Sequence, residues 1–205
     1  MMLLPMAVLA LGTVAQAANI IWVSNNKGYG DVEPNTPGDQ GWIDLLEAQG
    51  HVVSYPDRHN TEDGTQRYRT LDPNKIAELE AADLIIISRN ADSGSYSSVA
   101  DNEPNQWNAI STPIISLNAH MMPSNKWGLL NSTGTGYAKD GMEVVVDATS
   151  PIFDGVAIDV NGMVDVMSAQ WNVDSAKDVN NAGNGTVLAT RAGDSTIMIA
   201  TGEAD

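Results

Sequence analysis

The chain has 205 residues, of which 42% are hydrophobic and 18% charged, a composition typical of a globular protein rather than a disordered one. Its formal net charge of −16 disfavours binding to nucleic acids and anionic lipid surfaces, because both are negatively charged. The sequence contains no cysteine, which excludes disulfides, thiolate metal ligands and thiol nucleophiles.

The first 17 residues, MMLLPMAVLALGTVAQA, are apolar and uncharged and end in Ala15-Gln16-Ala17. This Ala-x-Ala ending is typical of a signal-peptidase site, and the apolar run is too short to span a bilayer. We therefore predict a signal peptide over 1–17 and a secreted or periplasmic location, although a basic N-terminal region is missing and a buried N-terminal helix is the alternative. No other segment is long and apolar enough for a transmembrane span.

Strand and helix patterns alternate through the first half of the remaining domain, 18–205. Asp39 is the expected N-cap of a helix with Trp42, Ile43 and Leu45 at core spacing. Asp72 is the expected N-cap of the next, with Pro73 at its first position. The predicted strands and helices are NIIWVS (19–24), DQGWIDLLEAQG (39–50), HVVSYPD (51–57), LDPNKIAELEAA (71–82), DLIIISRN (83–90), NEPNQWNAIS (102–111) and TPIISLN (112–118).

Apolar runs without alternation, such as the one in DLIIISRN, are typical of central parallel strands covered on both faces. The alternation of strands and helices implies right-handed crossovers and an open parallel sheet. The predicted fold class is therefore α/β, a three-layer α/β/α sandwich with a mainly parallel, flavodoxin-like sheet.

The second half is less regular. Strands are predicted in MEVVVD (142–147), VDVMSA (164–169), TVLATRA (186–192) and STIMIATGEA (195–204), with a short helical piece in TSPIFDGV (149–156). These strands are expected to extend the sheet in antiparallel fashion or to supply its last strands. Since a doubly wound fold would continue with a helix after the last of them, the chain is expected to be a fragment or one domain of a longer protein.

The order of five pieces resembles the class I glutamine amidotransferase-like superfamily, and within it the trehalose-utilisation-protein-like group. The pieces are IIWVS, WIDLLEAQGHVVSY, LEAADLIIISRN, TPIISLNAH and SPIFDGV, which together cover roughly 19–156. SPIFDGV resembles the His-Pro-Ile-Phe-x-Gly-Val element of that group, with Ser150 where His is common. The resemblance implies an amidotransferase-like sheet.

Catalytic members of the superfamily carry a Gly-x-Cys-x-Gly turn after a strand that begins with Pro. Placing Pro113 on that Pro puts Ser116 and His120 on the two glycines and Asn118 on the cysteine. An amide lacks the lone pair needed to attack a carbonyl carbon, so the thioester intermediate of glutamine hydrolysis cannot form at Asn118. The resemblance therefore implies a member without glutaminase activity.

Polar residues follow three of the predicted parallel strands, whose carboxyl ends meet at the crevice where open α/β sheets bind ligands. The residues predicted to contact a small polar or carbohydrate ligand there are Asn25, Asn26, Arg89, Asn90, Asn118, His120 and Trp127. The alternative is that these side chains only cap strand ends and satisfy loop backbone. Trp127 is expected either to stack on a sugar face or to pack in the core.

His120 is the one candidate for catalysis, as a general acid or base near neutral pH, with Asp92, Asp101 or Glu103 as its partner. A packed, hydrogen-bonded histidine is the alternative. His51, His59 and His120 lack metal-ligand spacing, and neither a P-loop nor Gly-x-Gly-x-x-Gly is present, so we expect no metal and no cofactor.

The sequence thus favours a secreted, non-catalytic amidotransferase-like domain that binds a carbohydrate or another small polar ligand at the strand-end crevice. Two alternatives remain open. One is a sugar-related hydrolase or isomerase that uses His120 as acid–base and Arg89 to hold an anionic group. The other is a structural or interaction module of a larger extracellular protein. The sequence gives no oligomeric state.

Overall fold

The structure, a computed structural model, describes residues 16–24, 39–55, 67–89, 91–138, 142–167, 173–176, 182, 185–192 and 196–202. Its elements in chain order are β1 Asn19–Val23, α1 Gln40–Ala48, β2 Val52–Ser54, α2 Pro73–Glu80, β3 Leu84–Ile87, α3 Ser93–Tyr96, α4 Glu103–Asn108, β4 Ile114–Ser116, β5 Thr135–Ala138, β6 Met142–Val146, β7 Met163–Met167, β8 Val173–Ala176, β9 Thr186–Arg191 and β10 Ile197–Thr201. Two 3-10 helices, Ala119–Met121 and Pro151–Phe153, complete the set.

The first four strands form a parallel sheet in the order β2-β1-β3-β4. β1 pairs with β2 on one side and β3 on the other, and β4 continues from β3. The chain is therefore an α/β fold with a parallel sheet and helical connections, as the alternating apolar patterns predict.

Local signals in the sequence define α2 well. The Asp72 side chain accepts hydrogen bonds from the backbone N–H groups of Asn74 and Lys75, and Pro73 occupies the first helical position. Leu79 is fully buried in the core, and Ile76 packs against the same cluster. The predicted cap and apolar face of α2 are both confirmed.

The parallel sheet contributes to two clusters of buried side chains. Ile20 and Trp22 of β1 lie in one cluster with Ile43 of α1. Ile21 and Val23, their neighbours in β1, lie in a second cluster. That second cluster also contains Leu79, Ile85, Ile87, Trp107 and Trp127. Alternate residues of β1 therefore pack into different cores, which explains why the strand is apolar at every position.

The predicted core face of α1 is partly wrong. Ile43 is buried, whereas Trp42 and Leu45 are 57% and 52% exposed. Leu46, also predicted at helical spacing, packs against the same cluster as Ile43. Consecutive and near-consecutive positions spread around a helix, so helical spacing does not put all of the predicted side chains on the buried face. Gly50, two residues past the end of α1, has a φ of 91°, a left-handed conformation that favours glycine.

The second half forms sheets of its own rather than an extension of the parallel sheet. Four antiparallel strands pair in the order β10-β9-β6-β7, and β5 pairs with β8. The strands predicted at 142–147, 164–169, 186–192 and 195–204 are confirmed over their described residues, and they pair in antiparallel fashion, but they do not extend the first sheet. Ile197 of β10 packs against Leu130, in the loop that follows the Ala119–Met121 helix.

Two matched leucines test which face of each helix supports the fold. Leu79→Ala should lower the free energy of unfolding by about 3 kcal/mol, because it leaves a cavity at a fully buried position. Leu45→Ala, at a position 52% exposed, should change it by no more than about 0.5 kcal/mol. Urea unfolding followed by circular dichroism measures both, and equal losses would contradict the assignment of the core.

Candidate functional site

The strand order creates a crevice between β1 and β3. From β1 the chain continues outward to β2, and it then returns to place β3 on the opposite side of β1. In open parallel sheets such a reversal leaves a crevice beyond the carboxyl ends of the two strands, where ligands bind. Ser24 and Ser88 directly follow β1 and β3 at this edge, and Leu117 follows β4.

A single carboxylate oxygen joins the ends of β1 and β3 at this edge. Asp39 Oδ2 accepts hydrogen bonds from Ser24 Oγ at 2.8 Å, Ser88 Oγ at 2.5 Å and Trp22 Nε1 at 3.0 Å. All four side chains are at most 2% exposed. Since a buried carboxylate is costly unless hydrogen bonds replace water, these three donors make the position of Asp39 tolerable.

Asp39 is the N-cap residue of α1, as the sequence predicts, but its side chain makes no capping hydrogen bond. The carboxylate instead bonds to residues of β1 and to Ser88 after β3, so it fastens the start of α1 to the ends of two neighbouring strands. One signal in the sequence bears on this: Trp22 lies within a continuous apolar strand, and a buried indole N–H requires an acceptor.

Asn118 lies at the turn after β4, as predicted, and its side chain is buried at 4% exposure. Its Oδ1 accepts a hydrogen bond from His120 N–H at 3.0 Å, which caps the 3-10 helix Ala119–Met121. Its Nδ2 donates to Ala91 O at 2.5 Å and lies 3.5 Å from Arg89 O. The amide therefore joins the loop after β3 to the turn after β4.

The backbone at this turn is relaxed. Asn118 has φ −108° and ψ 101°, within the ordinary extended region. A nucleophile elbow instead holds its residue in a sharp, strained turn that exposes the side chain. The chain thus changes direction at Asn118 without the strain that such an elbow stores.

Arg89 and His120 are the predicted ligand contacts that are exposed at this edge. Arg89 follows Ser88 directly, and His120 lies two residues beyond Asn118. The ring of His120 is oriented by Thr135, whose Oγ1 lies 3.2 Å from His120 Nδ1. A guanidinium offers five hydrogen-bond donors and no acceptor, so Arg89 suits an oxygen-rich ligand.

The remaining predicted contacts differ in their placement. Asn25, Asn26 and Asn90 lie outside the described residues. Trp127 is only 4% exposed and stacks on Trp107, with 5.2 Å between ring centroids and 22° between planes. Its Nε1 donates to Tyr96 O at 2.7 Å. Trp127 therefore packs in the core and is not among the exposed residues at this edge.

The part of the chain that the structure describes contains no cluster of three or more His, Asp or Glu side chains arranged to hold a metal ion. No helix among the same residues has the length and apolar character needed to cross a membrane. In comparisons with known proteins, the chain matches no protein-family model, no curated protein and no solved structure.

Removing the Asp39 carboxylate should destabilise the protein strongly. Asp39→Ala leaves three buried donors without their acceptor, at about 1 kcal/mol or more each, so the free energy of unfolding should fall by about 3 kcal/mol or more. Asp39→Asn, which keeps one acceptor oxygen, should fall between that variant and the parent.

Asp44→Ala supplies the matched control, because Asp44 lies on the same helix and is exposed. Its effect on stability should stay within about 0.5 kcal/mol. Chemical denaturation of the three variants measures the difference, and an Asp39→Ala variant as stable as Asp44→Ala would refute the anchoring role.

Proposed function

We propose that this chain is an extracytoplasmic, non-catalytic domain of the class I glutamine amidotransferase-like type that binds a small polar ligand at its strand-end crevice. The observation that carries the proposal is the bonding of Asn118. In the position that the resemblance aligns with a cysteine nucleophile, both ends of the amide are engaged by the protein's own backbone. Such a side chain holds the crevice in shape and performs no covalent chemistry.

The chemistry of the rim favours an uncharged, hydroxyl-rich ligand such as a carbohydrate. Arg89 and His120 are exposed there and are suited to hydrogen bonding with oxygen atoms. The net charge of −16 opposes the approach of polyanions, whereas a neutral sugar pays no such penalty. The hydrogen bonds of Asp39 at this edge reduce the conformational cost of ordering the site on binding.

The architecture that we propose is a three-layer α/β/α sandwich with an amidotransferase-like sheet. Two facts support it. Ile20 and Trp22 pack with Ile43 of α1, and the intervening residues of β1 pack with Leu79 of α2. Alternate residues of a strand face opposite sides of its sheet, so helices on both sides account for the two clusters.

A sugar-related hydrolase or isomerase is the second candidate, and His120 is the reason. Its ring is exposed at the rim and oriented by Thr135, which is the arrangement that a general acid–base needs. An interaction module with no small ligand is the third. The experiment below separates all three.

Thermal unfolding in the presence of a panel of neutral mono- and disaccharides, sugar acids and glutamine tests the binding proposal. A ligand at about ten times its Kd should stabilise the protein by about 1.4 kcal/mol and raise Tm by about 4 °C. Arg89→Ala and His120→Ala should each reduce that shift, since both residues lie at the rim. Arg191→Ala, which removes a guanidinium from β9, should leave the shift unchanged.

Asn118 is a poor choice for this test, because its loss would disturb the turn itself. Turnover of a sugar derivative that disappears in His120→Ala would favour the enzyme. No shift with any compound of the panel would reject the binding proposal and leave the interaction module.

The residue at which the mature protein begins tests whether the chain is exported. Cleavage after Ala17 would leave β1 intact, because Ala18 N–H donates to His51 Nδ1 and Ala18 O accepts from Val52 N–H, both beyond the cut. Expression with export machinery and intact-mass measurement of the secreted product should give a chain that begins at Ala18. Ala17→Leu should block processing, since the site requires a small residue there. A full-length product retained in the cytosol would contradict export.

A further inference from the structure

A closed ring of hydrogen bonds precedes α4. Ser98 N–H donates to Glu103 Oε2 at 2.5 Å, and Glu103 N–H donates back to Ser98 O at 3.1 Å. Between them Asn102 adopts φ 59°, the one left-handed non-glycine residue among those described. Asparagine adopts this conformation more readily than most residues do, and Asn102 Oδ1 also accepts a hydrogen bond from Asn105 Nδ2 at 2.7 Å.

The Glu103 carboxyl is buried in surroundings that do not solvate a charge. It has no exposed surface, and its Oε1 makes no hydrogen bond. One helical turn further on, Gln106 Oε1 and Trp107 Nε1 are also buried without partners, as is Tyr68 OH in the same core cluster as Trp107. Burial of this kind disfavours the ionised form of an acidic side chain.

Charged neighbours act on Glu103 from two segments. Burial has the largest effect and raises the pKa of Glu103, while the Ser98 N–H hydrogen bond lowers it. Arg69, from the segment before α2, lowers the pKa, and Asp101, within the ring, raises it slightly. Burial outweighs the opposing effects, so the closed ring binds the Glu103 proton more tightly than an open one does.

We propose that Glu103 is a pH-sensitive latch: its protonated carboxyl holds residues 98–102 closed against α4, and its ionisation releases them. The released side chain gains water for its charge. Because the closed form holds the proton more tightly, the latch is closed at low pH and opens as pH rises above 4.5, the ordinary value for a glutamate.

Residues 98–102 follow α3, whereas Ala91, which accepts the Asn118 hydrogen bond, precedes it. The latch is therefore independent of the binding role proposed above, and it is measured without any ligand.

Amide hydrogen exchange by NMR on the full domain tests the latch, with the protection factor of the Ser98 amide corrected for the intrinsic pH dependence of exchange. Between about pH 4 and pH 8, protection should fall about tenfold for every pH unit by which the closed-form pKa exceeds the open-form one. In Glu103→Gln, whose amide oxygen still accepts from Ser98 N–H but cannot ionise, protection should not depend on pH.

Substitutions of the exposed Arg69 and Asp101 keep the Glu103 carboxyl. They therefore test the latch even if Glu103→Gln fails to fold. Arg69→Gln removes a charge that favours ionisation and should move the loss of protection to higher pH. Asp101→Asn removes a like charge and should move it to lower pH. Three outcomes would overturn the proposal. Protection of the Ser98 amide could stay constant with pH in the parent, or it could fall equally in Glu103→Gln. The pH at which protection is lost could also fail to shift in opposite directions in Arg69→Gln and Asp101→Asn. Loss of ligand binding with an intact latch would instead reject only the binding role.

Discussion

The Asp39 carboxylate oxygen that accepts three hydrogen bonds is the constraint on which the parallel half of the molecule depends. Its donors come from within β1, from the residue after β1 and from the residue after β3, while Asp39 itself begins α1. Moving any one of these elements would leave buried polar groups short of a hydrogen-bond partner, which is a costly defect in a protein interior. Helix and strand ends are therefore held together at the point where the strand order reverses.

The hydrogen bonds to Asp39 engage the hydroxyl groups that directly follow β1 and β3. The hydroxyl groups of Ser24 and Ser88 donate to Asp39 and are buried, so in the proposed binding role the contacts to a ligand fall to exposed side chains at this edge. Asn118 adds a second brace at the same edge through Ala91 O. Two short polar side chains thus do the work of positioning, and neither of them is available as a nucleophile.

The sequence predicts best those features that local interactions determine. Asp72 and Pro73 specify the start of α2, and the apolar run of β3 specifies a buried parallel strand, because neither depends on distant residues. The sequence locates Asp39 at the N-cap of α1, but it does not reveal the side-chain partners, which lie 15, 17 and 49 residues away. Periodicity predicts an apolar face for α1 but not the neighbour that covers it, so the prediction fails for Trp42.

The same distinction applies to the second half and to the site. Runs of β-forming residues predict the strands of the second half. They do not predict which strands pair with one another, so the separate sheets could not be predicted from them. The turn position of Asn118 is predicted by the strand that precedes it. Its hydrogen bond to Ala91 O spans 27 residues and is invisible to a local pattern.

The central place of β1 has a consequence for how the chain folds. Both of its partners are synthesised later: β2 begins with the pair Asn19–Val52, and the link from Asn19 N–H to Asp83 spans 64 residues. Closing such loops costs entropy before any pairing is gained, and long-range pairings of this kind slow the folding of a domain. Until β2 and β3 are available, β1 has neither of its partners, and its apolar residues are then exposed to aggregation or to a chaperone.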